Sequence, residues 1–211
     1  STAPRYSTYP SDTAENQNNN KGNLRIYELK PDGWSQIGQE IFGISQSNTT
    51  NTSDVSISYD GKTVAFGEPR SGDNAPYYSG KVRIFKYNES GWNQIGQTLE
   101  LLDSKDEDQF GYSVELNDAG DILAVACRAC DTDGMTNNGK VTIYKLNGTE
   151  WQMVGAPIPG EGEGDGGDGI FIDIDSLGNT IIIGSPVNSD NGQNLGLNPN
   201  GSGTIGRGHV K

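Results

Sequence analysis

Positive charge is scarce in this chain of 211 residues. Only 15 lysine and arginine residues face 28 aspartate and glutamate residues, so the formal net charge is −13. Nucleic-acid binding begins with a basic surface that neutralises phosphates, which makes nucleic acid a poor partner. An anionic membrane surface is disfavoured for the same reason. The composition leaves divalent cations, or plain solvation, as explanations of the acidic surface.

Long apolar segments are also missing from the sequence. No apolar run approaches the roughly 18 residues that a membrane-spanning helix needs, so we expect no membrane insertion by this segment. Lysine, leucine and alanine are sparse, whereas glycine accounts for 30 of the 211 residues. This composition disfavours long helices and favours short strands joined by many turns.

Residues for common catalytic centres are few. Histidine occurs once, at His209, and neither a G-x-S-x-G nor a G-x-x-x-x-G-K-[ST] pattern is present. A zinc site needs four ligands, and the pair Cys127 and Cys130 has no second pair to join it. The carboxylates are too numerous and too loop-bound to single out an acid–base pair. The sequence therefore predicts that the chain is not an enzyme.

One sequence signature occurs three times. Residues 34–38 read Trp-Ser-Gln-Ile-Gly, residues 92–96 read Trp-Asn-Gln-Ile-Gly, and residues 151–155 read Trp-Gln-Met-Val-Gly. The tryptophans are 58 and 59 residues apart, and a fixed period of this size indicates a repeat architecture. A large aromatic residue that recurs once per repeat favours packing between adjacent sheets, where each ring buries about 150–250 Å².

Each repeat contains four strand-like segments. The first begins at a glycine and alternates apolar with polar residues, the second carries the tryptophan, and a tight turn joins the third to the fourth. The fourth is apolar on both faces, which predicts burial on both sides. Four antiparallel strands per repeat are typical of a β-propeller blade, so the sequence predicts an all-β fold with about three blades visible. The first segments are 22–27, 80–85 and 139–144, the third 55–58, 112–116 and 170–174, and the fourth 63–66, 122–126 and 180–183.

The repeats also divide the chain. Three of them cannot close a ring of the four to eight blades that propellers typically have, so we expect the chain to be part of a larger propeller. The predicted units are 1–21 as the end of a preceding blade and loop, 22–79, 80–138 and 139–207 as three repeats, and 208–211 as the start of a further repeat.

The middle repeat carries a family motif. Residues 108–114 (Asp-Gln-Phe-Gly-Tyr-Ser-Val), followed by 123–126 (Leu-Ala-Val-Ala), resemble an FG-GAP repeat, the blade motif of integrin α-chain propellers and of many secreted proteins. Residues 67–69 and 184–186 stand where that family carries Gly-Ala-Pro. The resemblance extends from about residue 22 to 211 and implies a propeller fold outside the cell. It implies no particular activity, because propellers host many unrelated functions.

Calcium is the one cofactor that the sequence leaves open. Calcium-binding members of the FG-GAP family carry a D-x-[DN]-x-D-G-x-x-D ligand set, and none of the turns before the fourth segments supplies that spacing. Acidic residues cluster instead in the loop before Phe110, where Asp103, Asp106 and Asp108 are candidate calcium ligands. The alternative is a solvated loop that only keeps the surface soluble.

Two features of the sequence point to the secretory pathway. Among the N-x-[ST] sequons, Asn88 and Asn147 occupy the same turn of consecutive repeats, where a glycan would point into solvent. Cys127 and Cys130 predict a local disulfide, with free buried thiols or bonds to another chain as alternatives. We therefore expect an extracellular or cell-surface protein with N-glycans at Asn48, Asn51, Asn88, Asn147 and Asn200.

These features favour a structural or adhesion module. Stacked blades would form a rigid scaffold whose loops contact other proteins, or further blades of the same polypeptide, in a cell-surface, matrix or filament assembly. A carbohydrate-binding propeller is the alternative, and it needs exposed aromatic rings beside the loop carboxylates, for example those of Tyr77, Tyr78 and Tyr112. A propeller enzyme would draw polar groups from several blades near the central axis, and the sequence shows no such repeated set.

Overall fold

The computed structural model describes residues 22–44, 54–71, 76–166, 169–188 and 207–210, with the backbone alone for 186–188 and 207–210. All regular elements in these ranges are β-strands, which confirms the all-β prediction. The same ranges contain no helix that could span a bilayer. The predicted glycosylation sites Asn48, Asn51 and Asn200 lie outside the described residues.

Sixteen strands follow one another along the described chain. Most are short, and antiparallel pairing joins them into sheets. In chain order they are β1 (Asn23–Leu24), β2 (Tyr27–Lys30), β3 (Gly33–Gln36), β4 (Ile41–Phe42), β5 (Val55–Ile57), β6 (Thr63–Glu68), β7 (Lys81–Asn88), β8 (Gly91–Gln94), β9 (Phe110–Leu116), β10 (Ile122–Cys127), β11 (Lys140–Asn147), β12 (Glu150–Met153), β13 (Ile158–Pro159), β14 (Phe171–Ile174), β15 (Ile181–Asn188) and β16 (Arg207–Val210).

Two sheets contain the predicted four antiparallel strands. The first sheet has the order β5-β6-β7-β8, and the second has the order β9-β10-β11-β12, with the short β13 also paired to β11. A third sheet, β14-β15-β16, and the two-stranded pairs β1-β4 and β2-β3 complete the described structure. The repeated strand order shows that the sequence period corresponds to a structural period.

The sheets are offset from the repeats as read along the sequence. In the first sheet, β5 and β6 are the third and fourth segments of repeat 22–79, whereas β7 and β8 are the first and second segments of repeat 80–138. The second sheet combines repeats 80–138 and 139–207 in the same way. Backbone hydrogen bonds therefore join each repeat to the next within one sheet.

Apolar residues of successive sheets form the core between them. Ala65, Val82 and Ile84 of the first sheet pack in one cluster with Phe110 and Val125 of the second. A further cluster joins the second sheet to β14 and β15. The fourth segments β6 and β10 are almost entirely buried, as predicted. The fourth segment in β15 departs from that prediction, because Ile182 is 49% exposed and no described sheet covers its outer face.

Two of the three tryptophans pack between repeats. Trp92 and Trp151 are each only 2% exposed. The Trp92 indole Nε1 donates to the Ile37 carbonyl oxygen at 2.9 Å, and the Trp151 Nε1 donates to the Ile95 carbonyl oxygen at 3.1 Å. Each ring therefore contacts the end of the tryptophan strand in the preceding repeat.

Trp34 does not fit the prediction that all three rings are packed. Its side chain is 69% exposed, although it lies in a hairpin of the same register: Leu29 faces Trp34 as Tyr87 faces Trp92. The physical reason is that a segment equivalent to residues 37–39 would have to come from a repeat ahead of Gly22, and the described residues include no such repeat.

The glycine of the signature makes room for the tryptophan of the next repeat. Gly38 and Gly96 have φ of +68° and +73°, a region that side chains with a Cβ rarely adopt. A Cβ on Gly38 would lie 2.5 Å from Cδ1 of Trp92, and a Cβ on Gly96 would lie 2.5 Å from Cδ1 of Trp151. The spacing W-x-x-x-G thus records a contact between neighbouring repeats.

The residue after that glycine completes the contact. The Gln39 side chain accepts from the Trp92 backbone N–H at 3.0 Å and donates to the Trp92 carbonyl at 2.7 Å. Gln97 makes the same two bonds to Trp151, at 3.0 and 2.7 Å. The side-chain amides of Gln39 and Gln97 therefore bond the backbone of an edge strand in the way that a neighbouring strand would. The third repeat has Ala156 at this position.

Candidate functional site: a loop surface beside the disulfide

Three loops meet at one end of the two complete sheets. They are residues 69–80 between β6 and β7, 95–109 between β8 and β9, and 128–139 between β10 and β11. The strand ends that carry them are paired, because Phe110 and Lys140 both face Cys127 across the second sheet. The described parts of these loops are called the loop surface below.

Backbone hydrogen bonds fasten the first loop to the second. Glu107 N donates to the Tyr77 carbonyl at 2.7 Å, Gln109 N to the Tyr78 carbonyl at 3.0 Å, and Phe110 N to the Ser79 carbonyl at 2.9 Å. Tyr78, Glu107 and Gln109 all have positive φ, a conformation that costs a residue with a side chain about 1–2 kcal/mol. The hydrogen bonds between the two loops therefore stabilise a backbone conformation that would be unfavourable without them.

The predicted calcium ligands are not brought together. Asp106 Oδ1 accepts from the Tyr77 backbone N–H at 2.7 Å, and Asp108 Oδ2 accepts from the Lys105 backbone N–H at 2.7 Å. Asp108 is buried, and this burial raises the pKa of its carboxyl. Asp103 is exposed. Among the described residues, no three histidine, cysteine, aspartate or glutamate side chains form a metal-ligand group. The carboxylates of Asp106 and Asp108 instead bond the backbone of the loops.

A salt bridge joins the second loop to the third. Lys105 Nζ lies 2.7 Å from Asp131 Oδ2, and Asp131 Oδ1 accepts from the Asn137 backbone N–H at 2.8 Å. The hydrogen bond from Lys105 is the main cause of the lowered pKa of Asp131. Because the pair is solvent-exposed, its contribution to stability is small. Its geometric effect is to hold the two loops side by side.

Cys127 and Cys130 are joined by a disulfide, with Cα atoms 5.6 Å apart. Both residues are buried. The bond closes the turn after β10, and the Cys130 carbonyl accepts from Gly139 N at 2.9 Å. Ser71 occupies the matching place in the first sheet, where its carbonyl accepts from Gly80 N. The disulfide therefore fixes a turn that the first sheet builds without one.

The aromatic rings proposed for sugar binding have different environments. Tyr77 is 53% exposed, whereas Tyr78 and Tyr112 are half-buried. The Arg128 guanidinium lies over the Tyr112 ring, 5.3 Å from its centre. Sugar stacking needs an open ring face, and of these three rings Tyr77 alone is exposed.

A row of polar residues was missed in the sequence. The edge strands β5, β9 and β14 neighbour one another, and Ser56, Glu115 and Asp173 take equivalent positions on them. Ser56 Oγ donates to Glu115 Oε1 at 3.2 Å and accepts from Leu116 N at 2.9 Å. Burial raises the pKa of Glu115, and the Asp173 and Asp54 charges add to this. Equivalent positions on three edge strands therefore carry polar side chains.

Two predicted glycosylation sites lie within the described structure. Asn88 and Asn147 end β7 and β11 in equivalent hairpin turns, and both side chains are exposed. Asn88 Oδ1 accepts from the Ser90 hydroxyl at 2.6 Å. A glycan on either nitrogen would extend into solvent without displacing a strand.

Comparisons with known proteins identify no family. No family model matches the chain, and no curated protein matches it. Solved structures do match, and one of them is the crystal structure of a putative 6-phosphogluconolactonase from Bacteroides uniformis, with 16% identity and a TM-score of 0.49. The match covers 77% of this chain and 41% of that chain, so this chain spans about two fifths of the other structure.

The comparison contradicts one prediction from the sequence. The chain was expected not to be an enzyme, and the similar structure carries the name of an enzyme. That exclusion is withdrawn. At 16% identity and a TM-score of 0.49, the likeness assigns neither an activity nor a substrate to this chain.

Proposed function

We propose that the chain is a structural and adhesion module of an extracellular assembly, built from propeller-type repeats and presenting its loops to other proteins. The observation that carries this proposal is the contact of Trp92 and Trp151 with the preceding repeat. A contact that recurs at every described junction adds repeats in one direction and gives a scaffold of similar units.

The loop surface supports a role in protein contacts. Its loops are joined by backbone hydrogen bonds and by the bridge between Lys105 and Asp131, and the disulfide between Cys127 and Cys130 closes the turn that begins the third loop. Loops that are already ordered lose little conformational freedom when a partner binds, which lowers the cost of association. Tyr77 has an exposed ring, of the aromatic kind enriched at interfaces, and its backbone N–H is held by the Asp106 carboxylate.

The extracellular location draws on two further observations. A disulfide persists in oxidising compartments and is rare in the cytosol, and this one joins Cys127 to Cys130. Asn88 and Asn147 are exposed sequons in matching turns of successive repeats. The propeller arrangement is part of the proposal, supported by the repeated strand order and by the adjacent edge strands β5, β9 and β14.

Mass spectrometry of the protein from its native source tests the location. Glycopeptides at Asn88 and Asn147, together with a peptide pair linked through Cys127 and Cys130, are expected. Unmodified asparagine at both sites with reduced cysteines would contradict the proposal.

A photo-crosslinking residue in place of exposed Glu107 tests the contact surface in the same material. Matched placement at exposed Glu28, on β2 and away from the loops, is the control. The proposal expects crosslinks to an extracellular protein from position 107 and none to that protein from position 28. Equal crosslinking from both positions would count against a specific loop surface.

A further inference from the structure

The hairpin β2-β3 presents an apolar face that no described residue covers. Tyr27, Leu29 and Trp34 are its exposed large apolar side chains. In the two other tryptophan hairpins the register is the same, with Tyr87 facing Trp92 and Leu146 facing Trp151. In those two hairpins the indole is 2% exposed, whereas that of Trp34 is 69% exposed. Within the part of the chain that the structure describes, one of three similar hairpins therefore has no packing partner.

The two filled contacts define the chemistry of the missing partner. Each supplies a carbonyl oxygen for the indole N–H, a glycine at positive φ against the ring, and a glutamine that bonds both backbone groups of the tryptophan. Residues 37–39 and 95–97 provide these groups and are already occupied by Trp92 and Trp151.

Outside residues 37–39 and 95–97, no segment of the sequence has an apolar residue followed by glycine and glutamine, and the remaining Gly-Gln pair, at 192–193, follows the polar Asn191. Residues 1–21 contain no glycine, so they cannot supply the apolar-Gly-Gln sequence. Residues 154–156 form the third copy of the signature end, and Gly155 has φ +70° with nothing within 4 Å of a Cβ built on it. This segment ends in Ala156, however, which has no side-chain amide. It therefore cannot make the two hydrogen bonds that the Gln39 and Gln97 side chains make to a tryptophan backbone.

We propose that the β2-β3 hairpin is a docking surface for a strand that ends in an apolar residue, glycine and glutamine, carried by a further repeat of the same type outside this chain. The indole of Trp34 donates to the carbonyl of the apolar residue, and the glutamine bonds the Trp34 N–H and carbonyl. The contacts that support this docking surface all lie inside the chain, so they do not depend on the location or the loop partners proposed above.

A tandem duplication supplies such a strand in the correct frame. A second copy of residues 22–79 is placed directly before Gly22, so that Ser79 of the added copy is followed by Gly22 as it is normally followed by Gly80. The added residues 37–39 then precede the original Trp34 by the natural period. Acrylamide quenching of tryptophan fluorescence counts the exposed indoles.

The unmodified chain has one exposed indole among its three. The duplicated chain is expected to have one accessible indole among four, that of the added Trp34, because the original Trp34 becomes buried. Two accessible indoles among four would overturn the proposal. Gly38→Val in the added copy alone is the control, and it is expected to restore two, because its Cβ would occupy the place of the ring.

Two readouts separate failure of docking from failure of folding. An unfolded duplicate exposes all four indoles, whereas a folded duplicate without docking exposes two. The unmodified chain is also measured over a range of concentration by analytical ultracentrifugation and quenching. Self-association that buries Trp34 would overturn the proposal, because the signature end that is vacant in the described structure has Ala156 in place of glutamine.

Discussion

The Gln97 side chain bonds both backbone polar groups of Trp151, 54 residues further along the chain. The indole of the same tryptophan donates to the Ile95 carbonyl. Two residues that flank Gly96 therefore hold one tryptophan at its backbone and at its ring. The arrangement repeats with Ile37, Gln39 and Trp92, and it explains why the signature recurs at a constant spacing.

Replacing Gln97 by alanine removes the two bonds to Trp151 and leaves its backbone N–H and carbonyl without those partners. Loss of a partner for part-buried polar groups costs about 1–3 kcal/mol. We expect Gln97→Ala to lower the free energy of unfolding by that amount in urea denaturation. Gln36→Ala, at an exposed side chain with one long bond to the Gly38 carbonyl, is the control and should change little. Equal losses for the two variants would contradict the role given to Gln97.

A pair of glycine variants isolates the steric part of the contact. Gly96 and Gly155 share the same place in the signature and nearly the same φ, +73° and +70°. Alanine at either position suffers the same backbone strain, but a Cβ at 96 lies 2.5 Å from the Trp151 ring and a Cβ at 155 meets nothing within 4 Å. We expect Gly96→Ala to destabilise the chain by about 1–3 kcal/mol more than Gly155→Ala, the usual cost of overpacking. Similar melting temperatures for the two would show that the ring does not depend on this glycine.

The sequence predicted the strands well and their partners less well. The alternation of apolar and polar residues along 80–85 predicts a strand with one apolar and one polar face, because successive side chains point to opposite faces. It does not report which repeat supplies the neighbouring strand, since hydrogen-bond partners are a non-local property. The offset between repeats and sheets, with β6 paired to β7, followed only from the structure.

The candidate site shows the same limit. Cys127 and Cys130 were singled out because three residues of separation bring them within reach of each other. Asp106 and Asp108 were grouped as ligands because they are close in sequence, yet their carboxylates bond backbone groups of Tyr77 and Lys105. Glu115 was missed because its neighbours Ser56 and Asp173 are about 58 residues away on either side. Aligning the third segments position by position would have shown this polar column.

The disulfide is expected to stabilise the chain modestly. In the chain-entropy description a very short closed loop contributes about 2 kcal/mol, the low end of the usual range. We expect Cys127→Ala/Cys130→Ala to lose about that much in urea unfolding while keeping the fold, since the first sheet forms the matching turn at Ser71 without a disulfide.

Thiol labelling tests the burial of the same bond. Cys127 and Cys130 are 0% and 2% exposed, so dithiothreitol with iodoacetamide should leave them unlabelled in the native chain and label both in urea. Rapid labelling of the native chain would contradict a buried disulfide.

Glu115 should make the stability depend on pH. Burial raises its pKa in the folded chain above the ordinary value of 4.5, so folding favours the protonated form. The stability that Glu115 contributes is therefore fully present at pH values below its ordinary pKa. It is lost as the pH rises through the higher pKa that the group has in the folded chain. Glu115→Gln removes this loss and still accepts from Ser56, so its melting temperature at pH 7 should exceed that of the parent chain by about 1–2 °C.

The pH profile of that difference provides the check. It should vanish below about pH 4, where both chains carry a neutral side chain at this position. Glu89→Gln, in an exposed turn, is the matched control. A difference that persists unchanged at low pH would trace the effect to packing rather than to ionisation.

The central claim is that successive sheets are held together by a tryptophan of one repeat packed on the glycine of the repeat before. Urea unfolding of Trp34→Ala, Trp92→Ala and Trp151→Ala tests this directly, because the three residues share one sequence context and differ in burial. Trp92→Ala and Trp151→Ala should each lose about 3–5 kcal/mol, as large-to-small changes in a core do, and Trp34→Ala should stay within about 0.5 kcal/mol of the parent chain. Equal losses at all three positions, or no loss at Trp92 and Trp151, would contradict the account.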